Sequence, residues 1–195
     1  MRHSFKTSLS KEAQFIKEKR HLPVLNQLNK ELASEHSVAV YGGKVKLDHE
    51  TYKEYYGNSK EEKEKNKLGI DADCNLISLS TGKFMPGFAL DFKIRFTAYY
   101  PLDFAAETVS VDYNNTPGWA VDPKKKTDAY LYIIEPIKKA IFVLHGELKK
   151  AIKEGKFKDI EEKTSSNKGY NTKFIPIEFN RLKKECPGTL EFNYD

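Results

Sequence analysis

The sequence predicts an α+β fold: a central mixed β-sheet with a strand meander, flanked by helices in an α/β sandwich. Three observations carry this. Phe88-Ala89-Leu90-Asp91-Phe92-Lys93-Ile94-Arg95-Phe96 alternates without a fault, apolar on one face and Ala89, Asp91, Lys93 and Arg95 on the other. That period of two marks a strand. Val24, Leu25, Leu28 and Leu32 recur at helical spacing. Helix signals then vanish through a run of strand-like segments and return only near the C-terminus.

In chain order, Ser10 is placed to N-cap a helix opening Lys11-Glu12-Ala13-Gln14-Phe15-Ile16, which Pro23 kinks or restarts. Residues 37–47 read as a hairpin turning at Gly42-Gly43. Residues 57–68 are almost purely polar with alternating charge and read as a solvated excursion. Three strands of the meander follow at 68–79, 87–96 and 104–111, with Thr81-Gly82 and Pro86-Gly87 supplying turn chemistry between the first two. Further strands are expected at 129–134 and 140–144, then a helix at 146–154 with Gly155 just past its end. Residues 161–172 read as a polar loop, 173–177 as a strand and 178–185 as a helix.

The 195 residues suit a single domain over 1–195, with a core at about 10–155 and a C-terminal extension at about 156–195. A charged fraction of 31% with 12% aromatics argues for a folded chain rather than a disordered one. The net charge of +5 permits nucleic-acid binding without demanding it. No apolar run is long enough for a transmembrane helix, and no apolar stretch follows the basic start, so no membrane association and no signal peptide are expected. Cys74 and Cys186 do not make a disulfide framework, which fits a reducing cytoplasm. Phosphate loop, dinucleotide fingerprint and nucleophile elbow are all missing, and the five histidines show no ligand spacing.

Asp91 and Lys93, two apart in a strand, share a face roughly 6–7 Å apart. Acid-x-Lys also occurs at Glu61, Asp122, Glu147, Glu154 and Glu161, but in helices or polar loops. Only the copy at Asp91 lies in an alternating strand with a carboxylate upstream, Asp71 in Gly69-Ile70-Asp71-Ala72-Asp73-Cys74. An antiparallel pairing of 68–79 with 87–96 brings Asp71 and Asp91 together on one face. Two such carboxylates repel unless a cation neutralises them, and oxygen-only ligands suit Mg²⁺ or Mn²⁺. The bland alternative is the wet face of an antiparallel strand.

Gly69-Ile70-Asp71 followed some twenty residues later by Asp91-Phe92-Lys93 resembles the PD-(D/E)XK nuclease superfamily, with its restriction-endonuclease-like core. The likeness runs loosely from Glu12 to about Ile152 and includes features that look like small phage and mobile-element nucleases. Ile70 stands where the superfamily's name has proline. The resemblance implies a metal-dependent DNA endonuclease with Asp71, Asp91 and the Phe92 backbone carbonyl holding Mg²⁺ or Mn²⁺, and Lys93 orienting water. It adds a first-helix glutamate, for which Glu12 is best placed and Glu18 next. Glu107 is a further acid candidate. Arg95 and the run Lys124, Lys125, Lys126 are candidates for DNA phosphate contact, and Trp119 for stacking on a base or anchoring a loop. Asp73 is expected to cap a turn or face solvent. A symmetric homodimer would let one site per chain cut both strands. The alternative is a non-catalytic module holding nucleic acid or protein on the same scaffold.

Overall fold

The computed structural model describes residues 5–34, 43–98 and 102–195. Helices α1 (Phe5–Lys17) and α2 (Leu22–Leu32) come first. Helix α1 runs through Ser10, which therefore lies inside it rather than capping it; serine costs an interior turn only a few tenths of a kcal/mol. Lys19 takes a left-handed φ of 58° at the break between the helices. Pro23 sits in the first turn of α2, where its missing N–H leaves no bond unmade.

Strands β1 (Val45–Leu47) and β2 (Lys53–Glu54), helix α3 (Lys60–Lys67), and strands β3 (Ala72–Ser78) and β4 (Phe84–Arg95) follow. The start of the expected hairpin at 37–47 lies outside the described residues; β1 itself pairs with β3. The polar stretch at 57–68 holds a helix after all. Ser59 accepts from the Glu62 N–H and Glu62 accepts from the Ser59 N–H, a reciprocal capping box that starts α3 without any buried residue.

The remaining elements are β5 (Asp103–Val111), β6 (Thr116–Pro117), β7 (Ala129–Ile134), β8 (Lys139–Leu144), α4 (His145–Lys153), β9 (Lys163–Ser166), β10 (Asn171–Glu178), α5 (Phe179–Glu185) and β11 (Leu190–Asn193). The main sheet is mixed, in the order β1-β3-β4-β7-β8-β11 with β2 on β3. Among the described strands, only β4 and β7 pair in parallel. A second, antiparallel sheet has the order β6-β5-β10-β9. The third strand of the expected meander, β5, therefore belongs to the second sheet, and the polar loop expected at 161–172 contains β9. Residues 156–195 supply two strands to the second sheet, β10 against β5 and β9 against β10, and one to the main sheet, β11 against β8.

Both faces of the main sheet are covered. On one, Phe88, Leu90, Phe92 and Ile94 of β4 pack with Phe15 and with Val24, Leu25, Leu28 and Leu32 of the first helices. On the other, Tyr130, Tyr132, Ile141 and Val143 pack against Phe104 and Ala106 of β5, Leu148 of α4 and Leu182 of α5. All six residues of β7 are buried, as expected of a strand covered on both sides. Cys74 and Cys186 are free and buried. Among the described residues no helix is long and apolar enough to cross a membrane.

One irregularity positions the site. Strand β3 pairs with β4 only as far as Ala72 opposite Leu90, whereas β4 continues to Arg95 along β7. Beyond Leu90, the β4 edge that faced β3 has no strand partner among the described residues.

Candidate active site

Side chains fill that open edge. The Asp71 N–H donates to the Leu90 carbonyl at 2.9 Å, and the Phe92 N–H donates to Asp71 Oδ2 at 2.9 Å. The Asp71 carboxylate thus takes the place of the missing strand. A residue's N–H and C=O leave a strand on the same edge, so the Phe92 carbonyl faces the same opening. Continuing the register one step past Ala72 and Leu90 sets Asp71 opposite Asp91. Glu12, partly buried on α1, reaches the next position along, where the Ile94 N–H acts on it.

Asp91 is 1% exposed. Its Oδ1 accepts from Lys93 Nζ at 2.6 Å, while its Oδ2 is buried and meets no nitrogen or hydroxyl donor among the described residues; the Asp71 carboxyl lies within hydrogen-bonding reach of Asp91. Gly69 makes room for that oxygen. It has a left-handed φ of 72° just past the end of α3, and a Cβ there would lie 3.2 Å from Asp91 Oδ2 and 2.7 Å from Lys125 Cδ.

Lys93 lies between charges and a ring. Its ammonium is 5.4 Å from the centroid of Trp119, and its side chain is 25% exposed. The ring is held in turn by Phe104 and Tyr130, with centroids 5.7 and 4.6 Å away, and the Tyr130 hydroxyl donates to the Trp119 carbonyl at 2.8 Å. Gly118 lets this segment cross β5 closely: a Cβ there would sit 2.3 Å from the Glu107 carbonyl oxygen. The second sheet thereby delivers both Trp119 and Glu107 to Lys93.

The electrostatics match this crowding. Burial, reinforced by the neighbouring Asp91 charge, pushes the Asp71 carboxyl up to about 8, despite Lys93 and the Phe92 N–H. Burial likewise pushes Glu12 to about 7, opposed by Lys93 and reinforced by Asp91. Glu107 is raised by burial, with Lys93, the Ser110 hydroxyl and the Trp119 N–H pulling it back. Burial disfavours the Lys93 ammonium, but the Asp91 and Asp71 charges outweigh it and hold its pKa above the ordinary value.

Asp71, Asp91, Glu12 and Glu107, the four acids read from the sequence, all fall within electrostatic reach of Lys93. The phosphate-contact candidates divide. Lys125 bends over Gly69 and acts on Glu107, and Lys124 and Lys126 are exposed beside it. Arg95 is engaged by Asp103, donating to its carboxylate at 2.9 Å and its carbonyl at 3.1 Å. Asp73 neither caps a turn nor faces open solvent, because it accepts from Lys65 Nζ at 2.6 Å and from the Tyr55 hydroxyl at 2.9 Å.

Sequence reasoning missed Tyr56. Its hydroxyl is buried and unpartnered, within reach of the Asp71, Asp91 and Glu12 charges, which with burial raise its pKa. The available signal was the pair Tyr55-Tyr56 closing an otherwise polar stretch.

Among the described residues, no group of three or more His, Cys, Asp or Glu side chains is close enough to hold a metal ion. The two aspartates with the Phe92 carbonyl still suit a hard divalent cation, since Mg²⁺ is commonly held by one or two carboxylates with water and phosphate completing its shell. The unpartnered Asp91 Oδ2 and the raised Asp71 are the two observations that fit a cation here. A depression of about 480 Å³ against α5 shares none of these residues, and in it Arg181 lies 3.2 Å from Asp159. Comparison with protein-family models, with curated proteins and with solved structures finds no match.

Proposed function

We propose that this chain is a metal-dependent nuclease of the PD-(D/E)XK kind that hydrolyses DNA phosphodiester bonds. The observation that carries the reading is Asp91 Oδ2, a buried carboxylate oxygen that meets no nitrogen or hydroxyl donor among the described residues, in a carboxylate set beside the Asp71 carboxyl and a lysine. Buried carboxylate oxygens normally find donors, and an ion pair kept only for stability gains nothing from leaving one empty.

Asp71, Asp91 and the Phe92 carbonyl would hold Mg²⁺ or Mn²⁺. Such an ion supplies positive charge to the phosphate and makes a bound water more acidic. Lys93 orients the attacking water and offsets negative charge developing on the phosphate. Trp119 keeps the ammonium over the site. Glu12 and Glu107, both with raised pKa values, are positioned to exchange protons at its margins. Lys125 offers a phosphate contact beside Gly69. Two copies about a two-fold axis would cut both strands of a duplex.

A second reading is a nucleic-acid- or protein-binding module without catalysis. It is favoured by the direct Lys93–Asp91 ion pair, which already neutralises one carboxylate, and by the lack of a three-acid cluster among the described residues. Chelation separates the two. Purified protein is incubated with supercoiled plasmid and with single-stranded DNA, in Mg²⁺, in Mn²⁺ and in EDTA. The nuclease reading expects cleavage with either metal and none in EDTA. Binding that persists in all three conditions without cleavage favours the module.

A further inference from the structure

Tyr56 is turned the opposite way from most surface tyrosines. Such a residue buries its ring and shows its hydroxyl to water. In Tyr56 the ring is partly exposed, while the hydroxyl is buried and meets no hydrogen-bond partner among the described residues. A buried phenol normally finds one.

Backbone pairing fixes where this side chain lies. Strand β2 pairs with β3 as far as Glu54 opposite Ala72, and the Tyr55 N–H carries the ladder one step further, to the Asp71 carbonyl at 2.8 Å. Alternation sends Tyr55 to one face, where its hydroxyl donates to Asp73 at 2.9 Å, and Tyr56 to the other, against the first helices. There the Tyr56 ring lies 6.4 Å from the Phe92 ring, tilted 31° to it. Phe92 is the residue whose N–H binds Asp71 Oδ2. Glu12 reaches the same stretch of β4 from α1, one turn ahead of Phe15, whose ring meets Phe96 at 6.1 Å. Tyr56 and Glu12 thus approach the open edge of β4 from one face, and Lys93 and Trp119 from the other.

The charges of Asp71, Asp91 and Glu12 all act on the Tyr56 hydroxyl, yet none of these acids accepts from it. Tyr52, four residues back on the same face, differs in having Glu54 within hydrogen-bonding reach.

We infer that Tyr56 is a positioning residue for the cation site, its hydroxyl holding a water of the ion's shell rather than the ion itself or the DNA. This rests on the nuclease reading for its metal and adds a contact on the helix side. Two aspartates and a carbonyl leave several positions around a Mg²⁺-like ion to water and phosphate. A water bound to a cation turns its lone pairs to the ion and offers protons outward. The phenol oxygen accepts one of these and keeps its own proton for a carboxylate. A phosphodiester is too bulky and too negative for this place, since the hydroxyl is buried and three acids act on it.

The test is Mn²⁺ binding to the full-length chain without DNA, followed by loss of the free-ion EPR signal, in wild type, Tyr56→Phe, Tyr52→Phe and Asp71→Asn/Asp91→Asn. The double variant identifies the share of binding that belongs to the site. Tyr56→Phe is expected to bind there about tenfold more weakly, and Tyr52→Phe like the wild type. Because the hydroxyl has no partner to lose, Tyr56→Phe is also expected to melt in EDTA no lower than the wild type. Unchanged Mn²⁺ affinity in Tyr56→Phe, an equal loss in Tyr52→Phe, a lowered melting temperature of Tyr56→Phe in EDTA, or no site-specific binding in the wild type would overturn the inference. Plasmid nicking is scored in parallel. A Tyr56-dependent Mn²⁺ site without cleavage keeps the inference and removes the nuclease. Metal-dependent cleavage with unchanged Mn²⁺ affinity in Tyr56→Phe does the reverse.

Discussion

Lys93 Nζ lies 2.6 Å from Asp91 Oδ1, while the other oxygen of the same carboxylate is buried and meets no nitrogen or hydroxyl donor among the described residues. A lysine that neutralised Asp91 for stability alone would leave no reason for the second oxygen to stay unsatisfied. Removing the ammonium leaves a buried charge uncompensated, which in other proteins costs about 3–5 kcal/mol. Lys93→Ala is therefore expected to lower the melting temperature of the metal-free protein and to abolish cleavage. Asp91→Asn is expected to abolish cleavage while destabilising less, because an amide needs no counter-ion. Thermal melts of the two variants in EDTA check the order.

The pH dependence of stability follows from the acids. Asp71 and Glu12 have folded-state pKa values raised to about 8 and about 7, above those of an unfolded chain. Between pH 4 and 8 the folded state then binds more protons than the unfolded one, so stability falls as pH rises through that window. Metal-free protein should melt at a lower temperature at pH 8 than at pH 5.5. Mg²⁺ or Mn²⁺ should recover most of the difference at pH 8 and little at pH 5.5. Asp71→Asn should raise the pH 8 melting temperature in EDTA, each kcal/mol appearing as about 2–4 °C in a chain of this size. A melting temperature in EDTA that climbs from pH 5.5 to 8 contradicts this.

Trp119 is the only tryptophan in the chain and lies 5.4 Å from the Lys93 ammonium, so its fluorescence reports on the site directly. Titration with Mn²⁺ should change the emission of the wild type and leave that of Asp71→Asn/Asp91→Asn unaltered. Trp119→Phe keeps a ring but a weaker one for the cation, a loss of order 1 kcal/mol. It is expected to slow turnover severalfold with little change in DNA affinity, measured as kcat against KM.

Gly69→Ala tests the space above Asp91. A left-handed φ costs a residue with a Cβ roughly 1–2 kcal/mol, and the new methyl would crowd Lys125 and Asp91 Oδ2. Weaker Mn²⁺ binding together with that modest loss of stability is the expected outcome. Unchanged binding would show that the unsatisfied oxygen is not where the ion sits.

Much of the central sheet was legible because it obeys simple periodicity. The alternation at 88–96 and the uniformly apolar segment at 129–134 are properties of single strands, and β4 and β7 lie there. Pairing was harder. Nothing local to Phe104-Ala105-Ala106-Glu107 says that it joins β10, whose residues come some seventy positions later, rather than the meander. The capping box at Ser59 and Glu62 was readable in principle, but the alternating charges around it masked a helix that buries nothing. Strand β11, after Pro187-Gly188, was too short and mixed to announce itself. At the site, register alone set Asp71 against Asp91. The closeness of Glu107 and Trp119 to Lys93 depends on Gly118 crossing β5, which no sequence pattern states.

The central claim, that Asp71, Asp91 and Lys93 form a metal-dependent site for cutting DNA, is tested most directly by one nicking assay. Supercoiled plasmid is incubated with wild type, Lys93→Ala and Asp91→Asn, each verified as folded by circular dichroism, in Mg²⁺ and in EDTA. The expected result is nicking by the wild type in Mg²⁺ only, with both variants slower by at least about 10²-fold. Nicking that survives either substitution, or that proceeds in EDTA, would contradict it.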